Sequence, residues 1–308
     1  MAFGFAKCQS HGLETQLVMG NRFLDIRCRS LGDSFAVHHG EVYQKMMFGD
    51  VLNICRGFLH AHPRETILMR ISRTKSDADA AEFRRVFERA YLDHNASLFH
   101  VSSTIPTLGQ VRGKIVLMTG WPYIGGISLG GGTVDTQDDW NKPSFGDKRQ
   151  AFHNHLVKTV NAGTPKSKIF MNYTSATGSP PFGDTPLKYA QNLNPYALSE
   201  LYRLYLRGRT VGVIASDYFN LMIGEFQALQ DAIIKMNRLP EDLALVSRGP
   251  TGWGTPPSRG PVPPPPTRPP WPPTTAPSIS PSAAWTTAST SAAETPPDGR
   301  ASGESPTW

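Results

Sequence analysis

The sequence predicts an α/β fold in which helices cover parallel strands, followed by a low-complexity tail. Three observations predict it. Short β-branched or aliphatic runs alternate with longer segments of helical spacing, and that alternation implies parallel strands with helical crossovers. Several of the strand runs are almost continuously apolar, as expected where both faces of a strand are buried. The aliphatic residues then stop abruptly. From Pro250 to Trp308 the only Ile, Leu, Val, Met or Phe residues are Val262 and Ile279, and these 59 residues hold 17 of the 27 prolines. The reading that follows is one domain over residues 1–245 and a Pro/Ser/Thr-rich tail over residues 246–308. That tail is expected to be polyproline-like or disordered.

Strands are expected at Phe23–Cys28 and Phe35–His39, from their apolar, β-branched or aromatic content. A helix is expected over Val42–His60, where Val42, Met46, Met47, Val51 and Leu52 recur near helical spacing before Cys55, Phe58 and Leu59. A strand over Thr66–Ser72 and a helix over Asp77–His94 follow, with Asp77 and Asp79 competing as its cap. After a strand at Lys114–Thr119 comes the Gly-rich stretch from Gly120 to Ser144. It lacks the spacing of a phosphate-cradling loop and reads as a long functional loop. Ser144 is placed to cap a helix over Phe145–Ala162; a strand at Lys168–Ser175, a helix at Pro186–Arg207, a strand at Thr210–Tyr218 and a helix at Gly224–Met236 complete the series. Six strands are two short of an eight-stranded barrel. On periodicity alone, a barrel and an open doubly wound sheet both fit.

Composition narrows the function. The net charge is +6, from 31 basic and 25 acidic residues. It is spread along the globular part without a block of like charges, so nucleic-acid binding is not expected, whereas an anionic membrane or phosphate ester suits it. Cys8, Cys28 and Cys55 are too few and too irregular for a disulfide framework or a zinc site. No run approaches 18 apolar residues, so no transmembrane helix is expected. The start, MAFGFAKCQSHG, lacks the pattern of a signal peptide.

The densest cluster of chemistry-bearing residues is RFLDIRCR followed by FAVHHGEVYQ. Asp25 and Arg27 stand two apart on a strand and so share a face. His39 ends the next strand. A carboxylate, a guanidinium and an imidazole at strand ends suit phosphate-ester chemistry, because Arg pairs with phosphate oxygens and His exchanges protons near neutral pH. A structural Asp25–Arg27 pair with a surface His is an equally weighted alternative. Asp217 closes the strand VIASDY, where a rim site would have it, although a turn or cap is the commoner role of such an Asp. In the long loop, Gln137, Asp138 and Trp140 place an aromatic beside a carboxylate. That pair would hold a sugar-like ring; the alternative is a loop Asp and a partly buried Trp.

Taken together, these segments resemble the X-type catalytic domain of phosphatidylinositol-specific phospholipase C, in its bacterial single-domain form. The resemblance covers roughly residues 8–237. It is carried by Gly20-Asn-Arg-Phe-Leu-Asp-Ile-Arg27, Val37-His-His-Gly40, His62-Pro-Arg-Glu-Thr-Ile-Leu-Met69, Gly113-Lys-Ile-Val-Leu117, Asn172-Tyr-Thr-Ser175 and Ser216-Asp-Tyr218, in family order. It implies a distorted, incomplete (β/α)8 TIM-type barrel. It also implies cleavage of a phosphatidylinositol-type lipid at a membrane surface by a monomer without metal or cofactor. The inositol 2-hydroxyl would attack its own phosphorus, giving inositol 1,2-cyclic phosphate and diacylglycerol. Carried over by motif, His39 would be the general acid and Arg27 would neutralise the phosphate. Asp25 would support that cluster, and Asp217 would orient a general-base histidine. Asp138 and Trp140 would hold the inositol ring, and Arg73 is a further substrate-binding candidate.

The departures from the family are equally specific. The family's first strand ends in a Gly-Thr-His-Asp-like motif that supplies the general base; nothing here matches it, and His11, in Gln-Ser-His-Gly, stands in the wrong place. The expectation is a chain lacking its first strand, either N-terminally truncated or an inactive relative that binds phosphoinositide or membrane. A phosphodiesterase acting on another glycerophosphodiester is the remaining alternative. Where relatives carry a Lys after the Glu-Thr-Ile strand this chain has Ser72, with Arg73 adjacent, and where they carry an Arg after Lys-Ile-Val-Leu it has Gly120. The family and the tail favour secretion, with the cytoplasm as the alternative.

Overall fold

The computed structural model describes residues 3–74, 78–163, 167–205, 211–221 and 229–236. The elements run α1 (Phe3–Ala6), α2 (Leu13–Val18), β1 (Phe23–Leu31), β2 (Ser34–His39), β3 (Val42–Met47), α3 (Phe48–Ala61), β4 (Ile67–Arg73) and α4 (Ala80–Val86). A π-helical turn over Phe87–Leu92 follows, then β5 (Phe99–His100), α5 (Leu108–Val111), β6 (Ile115–Thr119), β7 (Ile127–Ser128) and β8 (Val134–Gln137). The last are α6 (Phe145–Ala162), β9 (Ile169–Tyr173), α7 (Pro186–Tyr205), β10 (Val213–Ala215) and α8 (Leu229–Met236).

Two expectations are corrected. The helix expected from Val42 begins at Phe48, because Val42–Met47 pair antiparallel with β2. Gly40, at φ 56°, turns the chain between them, and such a two-residue turn favours a hairpin over a helix start. Asp50 then accepts from the Met47 N–H at 3.0 Å and starts the helix late. The Gly-rich stretch is not all loop, since β7 pairs parallel with β6 and β8 with β9. Of the two competing caps, Asp79 accepts from the Glu82 N–H at 2.7 Å. Asp77, Arg207, Thr210, Gly224 and the tail lie outside the described residues. Ser144 caps α6 as expected, accepting from the Asp147 N–H at 3.0 Å.

The strands form two sheets. The larger runs β3-β2-β1-β4-β6-β5, with β7 also on β6; the smaller runs β10-β9-β8. In the larger sheet β1, β4 and β6 are parallel, with Phe23 beside Leu68 and Leu68 beside Val116, then Asp25 beside Arg70 and Arg70 beside Met118. Alternation gives each strand two functions. Leu24, Ile26, Ile67, Met69, Ile71, Ile115 and Leu117 pack outward against α2, α3 and α4. There Phe35 stacks on Phe83 at 4.3 Å and on Tyr91 at 5.3 Å. The opposite face turns Phe23, Leu68, Val116 and Met118 toward Val134, Met171, Tyr173 and Ala215 of the smaller sheet. Both sheets therefore curve around one interior, as in a barrel.

The fold class is thus the expected α/β one, and it is open. Among the described residues no ladder joins the two sheets; β10 pairs only with β9, and Phe23–Arg27 of β1 pair only with β4. A cavity of about 240 Å³ lies between these edges, lined by Asn21, Phe23, Asp25, Val213 and Ala215 and by Ile234 of α8.

Candidate active site

The interior stack changes character toward the C-terminal ends of the strands. Its first layer is apolar (Phe23, Leu68, Val116), and the next holds Asp25 beside Arg70. Beyond these come Arg27 beside Ser72, then Gly120 just past the end of β6. The period of two that buries Phe23 therefore also points Asp25 and Arg27 into the interior. The rim at the C-terminal ends of parallel strands is where barrels carry their sites.

Arg70 Nη1 donates to Asp25 Oδ2 at 2.9 Å and lies 3.5 Å from the Tyr173 hydroxyl. Burial raises the Asp25 carboxyl above the ordinary carboxylate range, against the opposing charges of Arg70 and Arg27. Burial likewise pulls the Arg27 guanidinium down, with Asp25 holding it up. Burial works against the Arg70 charge too, but Asp25, Tyr173 and Asp138 outweigh it and the net shift is upward. Arg27 Nη2, Arg70 Nε, Asp25 Oδ1 and Asp138 Oδ1 are buried without a hydrogen-bond partner. An unmatched buried polar atom costs about 1–3 kcal/mol, so a set of them facing one interior is a site waiting for polar atoms.

His39 enters from β2. Its Nδ1 lies 3.1 Å from the Ala6 carbonyl and 3.5 Å from Cys8 Sγ. Burial, then the Arg27 charge, lower its pKa to about 4. Arg27 thus acts on His39, whereas the charges that act on His38 are Arg29 and Glu41. With Nδ1–H donated to Ala6, Nε2 is the nitrogen that exchanges a proton.

Asp217 is fully buried just past β10. Asn194 Nδ2 donates to its backbone carbonyl at 3.0 Å. Tyr218 follows in the left-handed region at φ 44°, a position that costs a non-glycine residue roughly 1–3 kcal/mol and needs support. The N-terminal segment supplies it: the Tyr218 N–H donates to the Cys8 carbonyl at 2.8 Å and its hydroxyl to the Lys7 carbonyl at 3.0 Å. The same segment meets His39, so residues 6–10 bridge the two ends of the site.

Lys148 of α6 links Asp217 to the long loop. Its side chain is fully buried, and Nζ donates to Gln137 Oε1 at 3.1 Å. Burial lowers its pKa to about 8 against the charges of Asp138, Asp139 and Asp217. Gln137 donates in turn to Asn172 Oδ1 at 2.8 Å and accepts from the Asp139 N–H, which fixes the segment bearing Asp138 and Trp140. The Trp140 carbonyl accepts from the Thr177 N–H at 3.0 Å.

Of the residues singled out in the sequence, Asp25, Arg27, His39 and Asp138 act on one another electrostatically, and Asp217 joins through Lys148. Arg73 does not join them. It pairs in register with outward-facing Cys28 and donates to the Ala78 carbonyl at 2.7 Å. Arg70, three residues earlier, stands on the interior face instead. Arg70, Tyr173 and Lys148 were not singled out by the sequence. A charged residue two before Ser72 on an otherwise apolar strand was the available signal for Arg70. Among the described residues no three His, Cys, Asp or Glu side chains converge as metal ligands, and no helix is long and apolar enough to cross a membrane.

Fold and site together define an open α/β barrel with a charged pocket at the C-terminal ends of its strands. The particular relationship follows from comparison. Residues 4–120 match the family model for the X domain of phosphatidylinositol-specific phospholipase C. The chain is 32% identical over 201 residues to a 1-phosphatidylinositol phosphodiesterase of Listeria monocytogenes, a match spanning 61% of each chain. It is 29% identical over 263 residues to the protein of the same name from Staphylococcus aureus strain Newman, spanning 76% of this chain and 83% of that one. Among solved structures, a Staphylococcus aureus phosphatidylinositol-specific phospholipase C described for modulation of its membrane binding superposes with a TM-score of 0.68 at 26% identity, covering 76% of this chain and 85% of the other. The Listeria monocytogenes enzyme gives 0.64 at 25% identity, over 77% and 85%.

Proposed function

We propose that the chain cleaves phosphatidylinositol-type lipids by intramolecular attack. The inositol 2-hydroxyl bonds to phosphorus, and the phosphorus–oxygen bond to diacylglycerol breaks. The 2-hydroxyl proton passes to a base, and His39 Nε2 gives a proton to the departing oxygen. The products are diacylglycerol and inositol 1,2-cyclic phosphate. Arg27 Nη2 donates to a phosphate oxygen and stabilises the charge that grows there. The nucleophile belongs to the substrate, so much of the rate comes from holding it in line.

The observation that carries this reading is the coupling of Arg27 to His39 at the strand ends. It also sets a condition. Without a bound anion His39 is neutral near pH 7, because burial and Arg27 disfavour its charge. A bound phosphate offsets Arg27 and draws a proton onto the imidazole, so that the acid forms with the complex. Asp217 would orient a proton acceptor for the 2-hydroxyl. The second reading is a relative that binds inositol lipid without turning it over. Two exposed aromatics suit docking at a lipid surface in either case: Phe182 in the segment after β9 and Trp121 after β6.

The test is to incubate the full chain with phosphatidylinositol vesicles and follow the phosphorus by NMR. Cyclic inositol phosphate, lost at least about 100-fold in His39→Ala, supports the enzyme. Vesicle binding without product favours the second reading. A different phosphate ester released from another lipid would change the substrate.

A further inference from the structure

The geometry points to Arg70 as the residue that reads the polyol part of the headgroup, donating from its guanidinium to ring hydroxyls beside Gly120 while Arg27 holds the phosphate. The inference rests on the function proposed above and assigns the specificity of the same site.

Four buried polar atoms of this cluster lack a hydrogen-bond partner: Arg27 Nη2, Arg70 Nε, Asp25 Oδ1 and Asp138 Oδ1. Two are donors and two are acceptors. A phosphodiester group, which carries no hydrogen to donate, could satisfy only the donors. A hydroxylated ring attached to a phosphate supplies both kinds of partner. The two guanidinium groups are also placed differently. Arg27 is the one whose charge reaches His39, so the reacting phosphorus belongs there. Arg70 sits one layer deeper on β4, fixed by Asp25 at 2.9 Å. Its charge is already offset by that carboxylate, which suits a hydrogen-bond donor to neutral hydroxyls better than a second phosphate clamp.

Gly120 makes the room. A Cβ there would lie 3.7 Å from Arg70 Nη2 and 3.9 Å from Nε. The guanidinium edge therefore faces a position from which any longer side chain would displace a ligand. Ser72, the next interior residue on β4, carries no charge and stands beside Arg27. On the interior face of β4 the cation is accordingly Arg70. A purely structural Arg70–Asp25 pair would leave Nε without a purpose; the ring gives it one.

The test compares two probes, myo-inositol 1-phosphate and glycerol phosphate, titrated by NMR into the full chain and into Arg70→Lys and Gly120→Val. The lysine keeps the charge beside Asp25 and removes the planar fork; the valine fills the ring space and removes no charge. Melting of each variant is recorded alongside. The expected result is a clear preference for inositol phosphate in the parent, reduced about tenfold in both variants with glycerol phosphate binding unchanged. Equal loss of both probes in Arg70→Lys would place Arg70 on the phosphate and overturn the inference. An unchanged preference in folded Gly120→Val would overturn it as well. If the parent binds neither probe, the headgroup reading of the site fails and this assignment falls with it.

Discussion

At the scale of single residues, the site is a problem of charges held out of water. Arg27 and His39 sit close enough that the guanidinium helps keep the imidazole neutral, with its pKa near 4. Replacing Arg27 with Met should therefore raise the His39 pKa while weakening binding of inorganic phosphate, and histidine NMR titrations read both. A His39 pKa unmoved by the change would separate the two residues. Which residues carry charge was legible in the sequence; which charges meet was only partly so. Asp25 and Arg27 were readable because they lie two apart on one strand. Arg70 was not, because its significance depends on β4 lying beside β1 in register, a non-local fact. Arg73 was misplaced for the same reason, since one residue of offset on a strand reverses the face.

At the scale of elements, apolar runs and caps located most strands and helices. Where local signals disagreed, pairing decided. Val42–Met47 has apolar spacing that passes for helix, yet Gly40 turns it into a hairpin with β2. The same hairpin delivers His39 to the rim. The short strands β7 and β8 escaped notice because glycines dilute their pattern, and their partners are remote. Gly126 shows how tight that region is: at φ 78°, an added Cβ would lie 2.3 Å from the Leu117 carbonyl oxygen. Gly126→Ala should cost upward of about 2 kcal/mol, read as a lower denaturation midpoint. A variant as stable as the parent would mean that the β6–β7 pairing is not as described.

At the scale of the whole molecule, two sheets share one interior and leave Phe23–Arg27 of β1 and all of β10 paired on one side only among the described residues. That arrangement could not be read from periodicity, which fits a barrel and an open sheet alike. Buried basic groups also set the pH dependence of the fold. Between about pH 4 and 6.5 the unfolded chain takes up the His39 proton and the folded chain does not. Stability should therefore rise across that window, by on the order of 3 kcal/mol from this residue. Lys148 behaves alike between about pH 8 and its ordinary 10.5, so its burial is least costly at the alkaline end. Chemical denaturation at a series of pH values checks the acid window, and His39→Gln should flatten it; a slope unchanged by that substitution would remove His39 as its cause.

The measurement that bears most directly on the convergence of Arg27 and His39 upon one phosphorus is the His39 titration in the full chain, by NMR, without ligand and with saturating myo-inositol 1-phosphate. His39 should titrate near 4 without ligand and at least about one unit higher when the anion is bound. Saturable binding that leaves the His39 titration where it was would put the phosphate elsewhere and contradict the account.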